Sequence, residues 1–345
     1  LQRIPQPRPD ASAAQSKEEK MRLSKSGKAM LCAALAGSAL LDAGGRHEAR
    51  AAAGGGSSLP MQLDLAFGVE AMSGESKYAI GGRAVRADGQ QSSEIFPMSE
   101  LEWPLDIWLA RLDAGWTLSP SWRINGALKV SLDGPGGRII DRDWLTDSMP
   151  WQVDVYSESD VSSFDALIAD LNLEWTFWQQ GLWSAYAGAG WQHQNFQYDG
   201  ALVFQNSPSG MQGFNYKGNG VKGVSYELNC SMPYLLLGSE YQLTPQLRLA
   251  GSLAFAPLIG ADDETVLPLR RKAALGDMDG SAWLFDLAGM YYLAPQWFLE
   301  AGLHYVKIDA DGEQRQSENG QPLGIIELEA SSRQTSGYLS VGRSF

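Results

Sequence analysis

Apolar and polar residues alternate with period two over most of the chain from residue 61 onward, and helical periodicity is almost absent. Residues 167–177 are the clearest case. Leu167, Ala169, Leu171, Leu173, Trp175 and Phe177 take one face, while Ile168, Asp170, Asn172, Glu174 and Thr176 take the other. Residues 283–293 repeat the pattern, with Trp283, Phe285, Leu287, Tyr291 and Leu293 opposite Leu284, Asp286 and Met290. In 298–306, Glu300 and His304 oppose Leu299, Ala301, Leu303 and Tyr305. A soluble sandwich rarely turns Asp and Glu inward and Leu, Trp and Phe outward. A membrane barrel does so because lipid lies outside it and polar packing or water lies inside.

The connections predict the same architecture. Short polar turns at Ser119-Pro120-Ser121, Gln179-Gln180-Gly181, Thr244-Pro245-Gln246 and Ala294-Pro295-Gln296 are flanked by aromatic or large apolar residues, as at a membrane interface. Gly- and charge-rich segments near 80–96, 135–162, 199–223, 261–281 and 309–331 read as long loops on the other rim. Strands are predicted at 61–79, 97–118, 122–134, 164–178, 182–198, 224–243, 247–260, 282–294, 297–308 and 332–345. The fold class is therefore all-β: a ten-stranded antiparallel transmembrane β-barrel with short periplasmic turns and long extracellular loops. Several strands exceed the roughly ten residues that a bilayer requires, which implies projection on the loop side. The last alternating strand ends in Phe345, which resembles the assembly signal of outer-membrane proteins.

Composition refines this picture. The formal charge of −13 argues against nucleic-acid binding. Residues 1–20 read as a disordered or misassigned extension. Met21, basic Arg22, Lys25 and Lys28, the apolar run 29–41 and small residues to about 52 form a secretory signal pattern. The barrel domain is then 53–345. Of the two cysteines only Cys230 lies within it, so it holds no internal disulfide.

The segment Gly136–Trp151 carries the candidate chemistry. Asp141 and Asp143 sit one residue apart at the end of a short run within 135–162 that reads as extended, on one face and about 7 Å apart if the chain stays extended. Two close carboxylates can position a water and split their pKa values, or they can be two solvated acids at a loop base.

The order of several short motifs resembles the omptins, outer-membrane barrel proteases of Gram-negative bacteria. They are Ser73-Gly74, Ser99-Glu100-Leu101-Glu102-Trp103, Gly136-Gly137 followed by Asp141-Arg142-Asp143-Trp144, Met232-Pro233-Tyr234, and Asp262-Asp263-Glu264. The resemblance implies an Asp pair facing an Asp-His pair across the barrel mouth, with the histidine as general base of amide hydrolysis. It maps the Asp pair onto Asp141 and Asp143 and the orienting Asp onto Asp263, and it puts Thr265 at the histidine position. Of the three histidines His47 falls in the signal segment, and His193 and His304 read as polar lumen residues.

The resemblance further implies a requirement for lipopolysaccharide, no metal, contact with outer-membrane lipid and the barrel-assembly machinery, and a peptide or protein substrate at the loops. It also implies acids that hold basic substrates, at positions occupied here by Tyr78 and Ala261. Its lipopolysaccharide-contacting run reads Trp191, His193 and Asn195 here, and the basic partner reads Asn229. Two functions remain open: an endopeptidase with lost or altered activity, in which Asp263 or Glu264 replaces the base, and a non-proteolytic barrel with a ligand-binding or structural role. A diffusion pore is the weakest reading, because charged residues such as Arg111, Asp113 and Glu174 can fill so narrow a barrel.

Overall fold

The computed structural model of the chain describes residues 62–86, 96–146, 148–149 and 151–345. The expected extension 1–20 and signal segment 21–52 lie outside the described residues. The strands are β1 (Gln62–Arg86), β2 (Ser99–Pro104), β3 (Ile107–Ser119), β4 (Trp122–Ser131), β5 (Arg138–Asp143), β6 (Val155–Gln180), β7 (Trp183–Asn206), β8 (Tyr216–Lys217), β9 (Lys222–Gln242), β10 (Leu247–Leu267), β11 (Lys272–Ala294), β12 (Trp297–Glu318) and β13 (Gln321–Ser344).

Every strand pairing is antiparallel, and the pairings close on themselves. From β1 the ring runs through β3, β4, β6, β7, β9, β10, β11, β12 and β13 and returns to β1. Above β3 and β4, β2 and β5 continue the ring between β1 and β6. The single segment expected at 97–118 is thus two strands, broken at Leu105 and Asp106.

The outer face carries the predicted apolar belt toward the short-turn end. Leu171, Leu173, Trp175 and Phe177 on β6 and Trp283, Phe285 and Leu287 on β11 are all exposed, whereas Ile168 and Leu284 point inward and are buried. Above the belt the outer face turns ionic. Arg142 bonds Glu100 at 2.8 Å, Lys77 pairs with Glu75 and Glu102 at 3.3 Å, and Arg138 bonds Asp160 at 3.1 Å and Glu158. Hydrocarbon does not tolerate such a surface, so this part of the wall stands clear of a bilayer.

Two expected long loops, 261–281 and 309–331, are instead tall hairpins. Pairing of β10 with β11 continues to Leu267 and Lys272, and pairing of β12 with β13 continues to Glu318 and Gln321. Their charge-rich composition suggested loops, but outside the bilayer both faces of a strand are free to be polar while its backbone ladder continues.

The interior is layered. In the belt region Glu70 is completely buried, with Arg111 at 2.8 Å, Lys129 at 2.9 Å and the Ser336 hydroxyl at 2.7 Å. Arg111 also bonds Asp113 at 2.7 Å. Burial of this many charges is tolerable only because each carboxylate meets a cation or a hydroxyl donor. Above this layer, Trp103 stacks on Tyr226 with ring centroids 4.3 Å apart, and Tyr198 and Tyr78 pack beside them. This aromatic plug separates the ionic layer from the rim.

Candidate active site at the barrel rim

A cavity of about 150 Å³ opens above the plug. Its polar lining includes Tyr78, Ser99, Asp141, Asp143, Thr265 and Lys272. Strand alternation explains the first wall. On β5, Arg142 points outward to Glu100 while Asp141 and Asp143 point inward. Asp141 lies opposite Leu101, and Asp143 opposite Ser99. The Ser99 and Ser157 hydroxyls each lie 3.4 Å from the Asp141 carboxylate and donate to it. The following loop is held by Asp154, whose carboxylate accepts the Leu145 and Thr146 amides, each at 2.8 Å.

The opposite wall depends on a β-bulge. Between Ala256 and Ile259, β10 gains one residue relative to both neighbours. Below the bulge the even residues Ala254 and Ala256 face inward. Above it the odd residues Ile259, Ala261, Asp263 and Thr265 do so. A one-residue insertion reverses the face of everything beyond it. Asp262 and Glu264 therefore face out, and Glu264 is not available as a replacement base.

Of the residues singled out from the sequence, Asp141, Asp143 and Thr265 meet in the cavity. Asp263 does not line it. It is 4% exposed, lies against Gly276, and neither carboxylate oxygen has a hydrogen-bond partner of normal geometry. The Thr265 hydroxyl is 3.3 Å from the Tyr78 hydroxyl. The two histidines among the described residues lie elsewhere. His304 faces the lumen as expected, bonded to Asp286 at 2.5 Å. His193 corrects its expectation: it shares the outer face with exposed Trp191, on which it stacks, and contacts Ser231 at 3.2 Å. The buried inward residues of that strand are Gln192 and Gln194.

The site's electrostatics follow from burial. Burial, and then the neighbouring Asp143, push the Asp141 carboxyl up to about 7, against the opposing pull of Arg270 and the two serines. Asp143 is raised too, chiefly by burial. Burial raises Asp263 to about 7, with the Gly276 amide opposing. A carboxyl pair of this kind holds one proton near neutrality.

Sequence reasoning missed Arg270 and Lys272, which line the same cavity. They fell in a segment read as loop. The signal was there in Arg270-Arg271-Lys272, three consecutive cations in an acidic chain. Among the described residues no group of three or more His, Cys, Asp or Glu is placed to hold a metal ion.

Comparison with known proteins matches this architecture. The family model described as the omptin family fits residues 64–345. The plasminogen activator of Yersinia pestis is 24% identical over 220 residues, 61% of this chain and 68% of that protein. Outer membrane protease OmpP of Escherichia coli K12 is 22% identical over 194 residues, covering 53% of this chain and 57% of that protein. The crystal structure of the Escherichia coli outer membrane protease OmpT superposes with a TM-score of 0.66 at 17% identity, over 84% of this chain and 98% of that one.

Proposed function

The chain belongs to the omptin family of outer-membrane β-barrels, and on that premise we propose that its rim cavity binds peptides and hydrolyses them slowly. Water is activated by the Asp141–Asp143 pair alone, with Thr265 at the position of the family's base histidine. The observation that supports this most directly is that Asp141, Asp143 and Thr265 line one cavity at the rim. A carboxylate pair sharing one proton supplies a base and an acid together, as in aspartic proteases. The ionised carboxylate takes a proton from water as it attacks the amide carbon. The protonated partner donates to the carbonyl oxygen; as the tetrahedral intermediate collapses, the proton taken from water passes to the leaving nitrogen and a hydroxyl proton of the intermediate returns to the pair. Loss of a histidine base costs about 10²–10⁴-fold, so turnover is slow.

A second reading, a barrel that binds ligands without cleaving them, is favoured by a separate observation. Asp263 is sealed away from the cavity, so the second wall presents no base. In both readings the tall rim faces the exterior and the short turns face the periplasm. Lipopolysaccharide is the lipid partner, and the barrel-assembly machinery inserts the chain. The outer-face ladder of His193 with Ser231 and Asn195 with Asn229 gives lipid headgroups a polar but cation-poor surface.

The test uses refolded barrel with lipopolysaccharide and a diverse peptide library from about pH 4 to about pH 8. Cleavage that disappears in Asp141→Ala and Asp143→Ala supports hydrolysis. A heat-modifiable, folded barrel with no cleavage at any pH leaves the binding reading in its place.

A further inference from the structure

We propose that Arg270 and Lys272 form a carboxylate-binding subsite within the rim cavity, so that the preferred peptide carries an acidic side chain beside the segment held over Asp141 and Asp143. This rests on the peptide-binding reading of the cavity and does not require cleavage.

Three observations converge on it. First, both cations line the cavity and feel the Asp141 and Asp143 carboxyls across it, yet neither side chain makes a direct ion pair or hydrogen bond with any described residue. Lys77, Arg138, Arg142, Lys222 and Lys307 of the upper wall each have a carboxylate within 4.0 Å, and of the described cations without one only Arg270 and Lys272 line this cavity. Two uncommitted cations in one concave site are an anion receptor by chemistry, the guanidinium for its fork of donors and the ammonium as a point charge.

Second, the two cations repel each other. Burial and the nearby Arg270 both lower the Lys272 pKa, while Asp143 opposes this. A ligand carboxylate between them relieves that repulsion. The connection carrying them is itself unusual. It runs through a short 3₁₀ turn at Pro268–Arg270 and a left-handed Arg271 with φ of 50°. Left-handed residues are usually Gly or Asn. Strained conformations persist where the surroundings over-determine them, which is most common at functional sites.

Third, the other charges lining the cavity do not cancel Arg270 and Lys272. Tyr78 is neutral, its pKa raised well above 10 by burial and Asp263. On β12, Gln314 and Gln316 carry no charge; Glu318, opposite Lys272 in the ladder, favours the charged ammonium but does not line the cavity. Asp141 and Asp143 face the cations from β5, and near neutrality that pair keeps a proton. Below about pH 7 the cavity is net positive while a peptide glutamate, with a pKa of about 4.3, stays ionised.

The test is fluorescence anisotropy of labelled Ala-Ala-Glu-Ala-Ala, Ala-Ala-Lys-Ala-Ala and Ala-Ala-Ala-Ala-Ala on the refolded full barrel at about pH 6. The glutamate peptide is expected to bind at least about tenfold more tightly than either other peptide. Arg270→Gln with Lys272→Gln abolishes that preference, and Arg270→Glu with Lys272→Glu turns it toward lysine. Heat-modifiability on a gel verifies folding, and Arg270→Lys is the conservative variant that retains the preference. Equal binding of all three peptides overturns the subsite. So does a preference that survives Arg270→Gln with Lys272→Gln, or displacement by inorganic phosphate as effective as by unlabelled glutamate peptide. Because binding is read directly, a barrel that never cleaves peptides still gives a clear answer. Asp141→Asn with Asp143→Asn, which disables hydrolysis, is expected to keep the glutamate preference.

Discussion

The hydroxyl of Tyr78 lies 3.3 Å from the hydroxyl of Thr265, so the position proposed above to replace the family's histidine is packed against a buried aromatic ring. Tyr78 is 4% exposed and also packs on Tyr226. An imidazole at this position would have to displace that hydroxyl contact and compete with the Tyr78 ring for the cavity. We therefore predict that Thr265→His alone gives little gain in peptidase activity and strains the rim by about 1–3 kcal/mol. Tyr78→Ser combined with Thr265→His removes the obstruction and should hydrolyse peptides at least about tenfold faster than Thr265→His. Initial rates on one fluorogenic peptide check this, and equal rates in the two variants count against the packing argument.

Hydrolysis by the Asp141–Asp143 pair should decline as pH rises through about 7, because the pair then loses its shared proton. The same shift bears on stability. The folded pKa of Asp141 lies above its unfolded value, so the folded state holds the extra proton between about pH 4 and pH 7. Folding is therefore favoured as pH falls through that window and penalised above it, by a few kcal/mol at most. Asp141→Asn should flatten the difference in thermal midpoint between about pH 5 and about pH 8. An unchanged pH profile in the variant contradicts this account.

Glu70 anchors the ionic layer through Arg111 and Lys129. Glu70→Ala leaves the buried Lys129 without a carboxylate and Arg111 with Asp113 alone, and should destabilise the barrel by about 3–5 kcal/mol. The readout is a lower temperature for loss of the compact, heat-modifiable form. Adding Lys129→Met should recover most of the loss, since Arg111 keeps Asp113 and a well-packed apolar replacement of a buried ion pair is often near neutral.

The bulge between Ala256 and Ile259 decides which acids enter the cavity. In the intact chain a cysteine introduced at Glu264 should react with an impermeant maleimide, and one introduced at Thr265 should be protected. Deleting Leu258 removes the extra residue and should exchange the two reactivities. Retention of the original pattern after the deletion would show that the upper strand holds its register without the bulge.

How much of this was legible in the sequence differs from strand to strand. In 167–177 the alternation of Leu with Asp, Asn and Glu fixes both strand and face, because lipid and a polar lumen impose opposite chemistries on adjacent residues. Above the belt that contrast vanishes. Neither face meets lipid, both become polar, and tall strands such as the upper parts of β10 and β12 read as loops. His193 was misplaced for the same reason, since it sits among the polar residues just above Trp191.

Asp141 and Asp143 were visible as a same-face pair, and the order of motifs pointed to the family over 64–345. The sequence by itself thus determined the all-β barrel, its inside and outside, and the carboxylate wall of the site, because alternation and local spacing are short-range properties of a strand. Only the tertiary structure decided what stands opposite that wall. The bulge that turns Asp263 inward, the burial that removes it from the cavity, the Tyr78 ring beside Thr265, and the two free cations of the β10–β11 turn all depend on contacts between strands far apart in the chain. Such contacts leave no periodic trace in the sequence.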